Sequence, residues 1–257
     1  MDSVIRFLPK VENYIKYRWN FAPEAINRIF DITQLTSDAI VADIGSGSGM
    51  LAQAFVERVK QIFAIEPNSQ MRAVAEENLK IYPSFVSIDA LSDATGLIDN
   101  SVDLITVARA IHWFPKYSTK AEFQRILKPH GWLAIINTPH LDREILTASQ
   151  SIKIPENGWD IAGDKSNDNY PDKLKEALDF YYDSHKFFKF DIPTIQSETW
   201  EYFFGRLCSQ SPSPEPDHPL YKNFEKAAKE VFNRFSVDGD RIIISAATCV
   251  YLGQMSN

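Results

Sequence analysis

Short apolar runs and helix-spaced apolar positions take turns along the first 140 residues. "AIVADIG" (39–45) is an uninterrupted apolar run closed by glycine, which predicts a buried strand. "MLAQAFVERV" (50–59) places Leu51, Ala54, Phe55 and Val59 at helical spacing. "QIFAIEP" (61–67) predicts a second strand, stopped by proline. "NSQMRAVAEENL" (68–79) opens on capping residues and sets Met71, Val74, Ala75 and Leu79 on one helix face. "SFVSID" (84–89), "VDLITVA" (102–108) and "GWLAIINT" (131–138) read as further strands, with "STKAEFQRIL" (118–127) as a helix before the last. Strands that are apolar throughout, rather than at every other position, belong to a parallel sheet covered on both faces. Ligands of such sheets sit beyond the C-terminal strand ends, where the strand order reverses. That directs attention to Gly45, Glu66, Asp89 and Arg109.

The second half is patterned differently. No strong strand falls within 139–185, and "PENGWDIAGDKSNDNYPD" (155–172) is loop-like. "HKFFKFDIP" (185–193) predicts a strand. "SETWEYFFGRL" (197–207) and "LYKNFEKAAKEVFNRF" (220–235) predict amphipathic helices, separated by the proline-rich "SQSPSPEPDHP" (209–219). "RIIISAATCVYLG" (241–253) predicts a closing strand. The expected fold is a doubly wound, mostly parallel, seven-stranded Rossmann-like sheet with helices on both faces and an α-helical lid inserted after the fifth strand. One domain is expected over 1–257: an N-terminal helical cap (1–30), a ligand-binding core (36–138), a lid and substrate region (139–235) and a closing strand (241–253).

Composition narrows the function classes. The chain of 257 residues carries a formal net charge of -7 and no run of Lys and Arg, which opposes a phosphate backbone as partner. No stretch approaches a membrane span and no signal-peptide pattern opens the chain, so a cytoplasmic protein is expected, as monomer or homodimer. Cys208 and Cys249 lack metal-ligand spacing, and no metal site is expected.

The chemistry concentrates in "VADIGSGSGM" (41–50). Gly45, Gly47 and Gly49 are spaced G-x-G-x-G. A dinucleotide fingerprint requires a third glycine at position 50, which is Met50, and a P-loop requires Lys-Ser/Thr after its last glycine. Both phosphate signatures fail. Glu66 ends the second strand, where a carboxylate can accept both hydroxyls of a ribose. Asp89, followed by Ala90 and Leu91, ends the third and suits an adenine amine beside a ring covered by small apolar groups. The set describes a nucleoside without a pyrophosphate.

"VADIGSGSGML", "FAIEPN" and "SIDAL" resemble the motifs of class I S-adenosylmethionine-dependent methyltransferases. "VDLITVARAIHWFP" (102–115) and "FQRILKPHGWLAII" (123–136) resemble the small-molecule branch called methyltransferase type 11. "IHWF", "YIKYRWNFAP" (14–23) and the tail "DGDRIIISAATCVYLG" are similar to the trans-aconitate-type and juvenile-hormone-acid-type carboxyl methyltransferases. Trp19 stands where their N-terminal motif carries proline, and Arg109 where a small or amide residue is commoner.

The resemblance implies S-adenosyl-L-methionine as cofactor and a small-molecule acceptor, most often methylated at oxygen, on a carboxylate or a hydroxyl. Methylation at carbon or nitrogen, and a cofactor-binding subunit without catalysis, stay as alternatives. Asp43 is expected to orient the glycine loop by accepting backbone N–H groups. Pro67, Asn68 and Met71 are expected to cover one side of the adenine. Tyr14, Arg18 and Arg109 join the cofactor set, with Arg18 placed by the resemblance near the methionine carboxylate. His112 is read either as a packed core histidine or as a base or orienting donor on the acceptor side. Trp113, Trp159 and Trp200 are its candidate companions there.

Overall fold

The computed structural model describes residues 11–152, 170–210 and 213–255. The chain divides into two compact units. Unit 1 comprises Met1–Trp19, Pro139–Asn169 and Pro193–Ala247; unit 2 comprises Asn20–Thr138, Tyr170–Ile192 and Thr248–Asn257. The division at Trp19/Asn20 falls inside the segment expected as an N-terminal cap.

Unit 2 holds the parallel strands. These are β1 (Ile40–Ile44), β2 (Gln61–Ile65), β3 (Phe85–Ile88), β4 (Val102–Ala108) and β5 (Leu127–Asn137). Their order is β3-β2-β1-β4-β5, so the order reverses between β1 and β4. The C-terminal part of β8 (Arg241–Met255) pairs antiparallel with β5, with Leu133 opposite Gly253 and Asn137 opposite Cys249. Alternate residues of each strand enter two separate cores. Val41, Ile62, Leu104 and Ile136 pack with Ala25, Ile26 and Ile29 of α2 (Pro23–Thr33). Ala42, Ile44, Ile105 and Ile135 pack instead with Phe123 and Ile126 of α4 (Lys116–Ile126) and with Leu178 and Tyr181 of α6 (Tyr170–Tyr181). Burial on both faces is the reason these strands read as unbroken apolar runs.

Two expectations are corrected. Among the described residues the sheet has eight strands, not seven, and it is mixed. The extra member is β7 (Ser236–Val237), a two-residue strand that pairs antiparallel with β8 and is too short to carry any hydrophobic pattern. The helix expected over 50–59 is a 3-10 turn at Ala52–Ala54 followed by further turns. Its backbone mixes bonds to the third preceding residue (Ala54 to Leu51, Phe55 to Ala52) with bonds to the fourth (Gln53 to Gly49, Val56 to Ala52). Leu51, Phe55 and Val59 are buried all the same. Over one or two turns an apolar stripe reports which side chains point inward, and both kinds of turn satisfy it.

Unit 1 has its own core, built on α1 (Val11–Tyr17), α5 (Arg143–Ser151), α7 (Trp200–Cys208) and α8 (Tyr221–Phe235). Phe203, Leu207, Phe224, Phe232, Ile242 and Ile244 form its centre. The strand expected at 185–193 is longer, β6 (Tyr182–Thr199). Tyr17 lies so close to α7 that its ring occupies the space a Cβ on Gly205 would need. Tyr17 and Lys16 both donate to Glu201, at 2.9 and 2.7 Å. Among the described residues, no helix is long and apolar enough to cross a membrane.

Candidate functional site

The glycine loop leaves β1 at the reversal point of the sheet. Gly45, Gly47 and Gly49 all have φ in the left-handed region, at 68°, 56° and 77°. Side chains other than glycine pay strain there. The three differ in what surrounds them. A Cβ on Gly45 would meet Ala110 Cβ at 2.8 Å, and one on Gly49 would meet Ala75 and Leu79 at 3.0 Å. These two glycines let protein pack against protein. Gly47 alone faces open space, with nothing within 4 Å of its would-be Cβ. The loop therefore offers one bare stretch of backbone to a ligand.

Glu66 follows β2 and holds this loop. Its Oε2 accepts from Gly47 N at 2.9 Å, and its Oε1 accepts from Asn68 N at 2.9 Å. Burial raises the Glu66 pKa, and the two backbone bonds and the Arg72 charge pull it back. Each oxygen keeps a second lone pair for a further donor. Asn68 caps α3 (Ser69–Leu79), accepting from Gln70 N and Met71 N at 3.0 Å each. Pro67 is half-buried beside it, while Met71 is only 5% exposed and has become a packing residue.

Asp43 was expected to take the loop amides, but Glu66 takes the Gly47 amide. Asp43 accepts from the Thr106 hydroxyl at 2.8 Å, across the β1–β4 register that sets the two side by side. The Ala52 backbone amide, just past the loop, also favours its charged form. Asp43 is 1% exposed, and burial pushes its pKa up to about 7, with the Glu66 charge adding to the rise.

The sign of this shift gives a test. A carboxyl that holds its proton more tightly when folded contributes stability below its unfolded pKa, near 4, and loses it as pH rises through about 7. Asp43→Asn removes the charge. Its carbonyl can accept from Ala52, and its amide can donate to the Thr106 hydroxyl, which rotates to accept. Urea unfolding should show the variant more stable than the parent by roughly 2–4 kcal/mol at pH 8, with the gap closing toward pH 4. A constant gap across that range would mean that Asp43 stays ionised.

Asp89 ends β3 and is exposed, with half-buried Ala90 after it. It is already engaged. Arg72 Nη2 donates to Asp89 Oδ2 at 2.7 Å, while Arg72 Nη1 donates to the Glu66 carbonyl at 2.8 Å. Arg72 thus ties the ends of β2 and β3 together, a role the sequence reading missed. So is that of Thr106. The signals were present: a polar residue inside the apolar run of β4, and an arginine in the first turn of the helix that follows Glu66.

Arg109 begins the segment after β4. It has φ 58°, uncommon for a residue with a side chain, and its guanidinium lies 4.6 Å from the Phe21 ring centroid. Ile111–Trp113 is a 3-10 turn carrying His112 and Trp113, half-buried, with ring centroids 4.8 Å apart. Asp43, the glycine loop, Glu66–Asn68, Asp89–Ala90, Arg109, His112 and Trp113 all belong to unit 2. Tyr14, Arg18 and Trp200 belong to unit 1. There the Arg18 guanidinium covers the Tyr14 ring at 5.0 Å and reaches the Ser209 carbonyl at 3.4 Å. Trp200 stacks on Phe204 at 4.9 Å. Trp159 lies outside the described residues. Among the described residues, no group of His, Cys, Asp and Glu could hold a metal ion.

Residues 42–135 match the family model of a methyltransferase domain. An uncharacterized methyltransferase of Mycobacterium tuberculosis is 31% identical over 135 residues, 52% of this chain and 53% of its own. The chain spans about half the length of the curated relatives it matches. A solved protein of Anaeromyxobacter dehalogenans, provisionally assigned as a type II methyltransferase, shares the fold. Its TM-score is 0.61 at 17% identity, over 93% of this chain and 98% of its own. A SAM-dependent methyltransferase of Geobacter sulfurreducens, solved with S-adenosyl-L-homocysteine, aligns at a TM-score of 0.51 and 16% identity, over 99% and 98% of the two chains.

Proposed function

We propose that this chain is an S-adenosylmethionine-dependent methyltransferase, and that it methylates a small organic molecule at oxygen. The observation that carries this reading is the pairing of Gly47 with Glu66. A bare left-handed backbone facing open space stands beside a half-buried carboxylate with lone pairs to spare. That pair fits a ribose, while the loop lacks the lysine and the third fingerprint glycine that phosphates require. The match to the methyltransferase domain covers the same residues.

In this reading Glu66 holds the ribose hydroxyls, Asp89 and the Ala90 backbone face the adenine, and loop amides near Gly47 approach the methionine end. Arg109, in the same unit as the loop, is the candidate for its carboxylate. The cofactor, when bound, supplies a methyl group on a cationic sulfur. The leaving group is good, so the chain's task is mainly alignment, which can lower the barrier by roughly 7–11 kcal/mol. A carboxylate acceptor attacks as it stands. A hydroxyl acceptor would have to lose its proton as it takes the methyl group, and the His112 imidazole would accept that proton. The likeness of "YIKYRWNFAP" and "IHWF" to carboxyl methyltransferases supports an oxygen acceptor, and the net charge of -7 supports a small molecule over nucleic acid.

Thermal melts test the cofactor assignment. S-adenosylhomocysteine should raise the melting temperature and NAD should not. Glu66→Gln should weaken S-adenosylhomocysteine binding by about ten-fold or more in calorimetry, because charge-assisted bonds worth ~1.5–3 kcal/mol are lost. Equal shifts with both ligands, or unchanged affinity in the variant, would overturn the reading.

A further inference from the structure

Asp89 is exposed, yet its carboxylate is held. Its side chain is 67% accessible, and an aspartate with that much solvent around it ordinarily keeps a choice of rotamers. Arg72, 15% accessible, takes that choice away. Its Nη2 donates to Asp89 Oδ2 at 2.7 Å while Nη1 of the same guanidinium donates to the Glu66 carbonyl at 2.8 Å. A guanidinium is planar and its donors form a rigid fork, so anchoring one arm on backbone sets where the other arm points. The backbone it anchors on is itself fixed. Ile65 pairs with Ile88 in the β2–β3 register, and Glu66 N donates to Ile88 O at 3.1 Å. One Asp89 oxygen is thereby placed relative to Glu66, and Oδ1 is left for another donor.

The helix that carries Arg72 does not need this contact to stay in place. Met71, Ala75 and Leu79 of α3 are buried. One turn beyond Arg72, Glu76 accepts from the Ser87 hydroxyl at 2.8 Å, a second tie between α3 and β3. An ion pair with one partner so exposed adds little to stability. What Arg72 changes is the freedom of Asp89. Its charge also favours the ionised form of Glu66, against the Asp89 charge, which opposes it.

A carboxylate held in place reads a purine edge differently from one that can swing. An ionised carboxylate only accepts hydrogen bonds. Adenine offers an amine at its 6-position. Hypoxanthine offers a carbonyl there and an N–H at the neighbouring N1. A fixed carboxylate facing that carbonyl leaves two acceptors opposed, while a mobile one can turn to the N1 proton and recover a bond. Selectivity for adenine therefore requires an acid and something that stops the acid from moving.

We propose that Arg72 is a positioning residue for base selection: it holds the Asp89 carboxylate toward the exocyclic amine of the cofactor's adenine, and the preference for adenine over a 6-oxopurine depends on it. This rests on the methyltransferase reading above. The test is calorimetry of the full chain with two ligands that differ only in the base, S-adenosylhomocysteine and S-inosylhomocysteine. The parent should bind the adenine form about ten-fold or more tightly, because the other base leaves polar groups unpaired. Arg72→Met should narrow that ratio to within about three-fold of unity, and Asp89→Ala should narrow it as far. Adding Arg72→Met to Asp89→Ala should change the ratio no further, since a residue that acts through Asp89 then has nothing to act on. Arg72→Gln, with one amide in place of the two-armed guanidinium, carries the same test should Arg72→Met not fold. A merely structural Arg72 would weaken both ligands alike and leave the ratio where it was. That result, a ratio near one in the parent, or a further change in the double variant would overturn the inference and leave the ribose contact of Glu66 standing. Failure of S-adenosylhomocysteine to bind the parent would remove the methyltransferase reading, and this inference with it.

Discussion

Glu198→Ala should lower the unfolding free energy by about 3–5 kcal/mol in urea titrations, one of the largest losses available to a single substitution in this chain. Glu198 is 1% exposed and Arg206 6%, so the variant leaves a guanidinium buried without its counter-charge. It also takes the acceptor from Trp19 Nε1. The damage should fall on unit 1, whose N-terminal segment is tied to the end of β6 through this contact and to α7 through Glu201. Removing both charges together, as Glu198→Leu with Arg206→Met, should recover most of the loss, because a buried pair is weak evidence for net stability while a broken one is costly. An exposed pair would behave otherwise, with the single variant costing under about 1 kcal/mol. That small effect would show that Glu198 and Arg206 are solvated in solution.

The same pair shows what a sequence hides. Glu198 and Arg206 stand eight positions apart among aromatic residues, and nothing in that spacing distinguishes a buried ion pair from two solvated side chains. Helical periodicity states that a face is covered, not what covers it, so the contents of unit 1 were not legible. The strands of unit 2 were, because burial on both faces leaves an unbroken apolar run that few other environments produce. Glu66 stood out because it closes an apolar strand at the end of a parallel sheet, but its bonds to the Gly47 and Asn68 amides depend on how the loop folds back, which no local pattern states. Asp43 and Thr106 could have been paired in the same way, since each is a polar residue inside an apolar strand and the register sets them side by side. The Arg72 bridge depends on how α3 is placed over β2 and β3, which no local pattern states.

His112→Ala should cut turnover by roughly 100-fold or more if the acceptor is a hydroxyl, the usual scale for removing a positioned base. The side chain sits on the 3-10 turn after β4, half-buried, with its ring tilted against Trp113. Cofactor affinity should hardly change, since neither the Glu66 bonds nor the Gly47 backbone involve it. The parent rate should rise with pH as His112 loses its proton, because only the neutral imidazole accepts one, and that limb should be missing in the variant. A carboxylate acceptor gives a different pattern: the substitution acts mainly on KM, and the pH limb is absent from the start, since no proton has to leave. A His112→Ala chain that does not fold would mark a packed core histidine. His112→Gln then separates the roles, since it keeps a side chain that hydrogen-bonds but cannot carry a proton away. Near-parental kcat in His112→Gln would remove His112 from the chemistry and leave it as a packing or orienting residue, whereas a loss of 100-fold with intact cofactor binding would leave proton removal as its function.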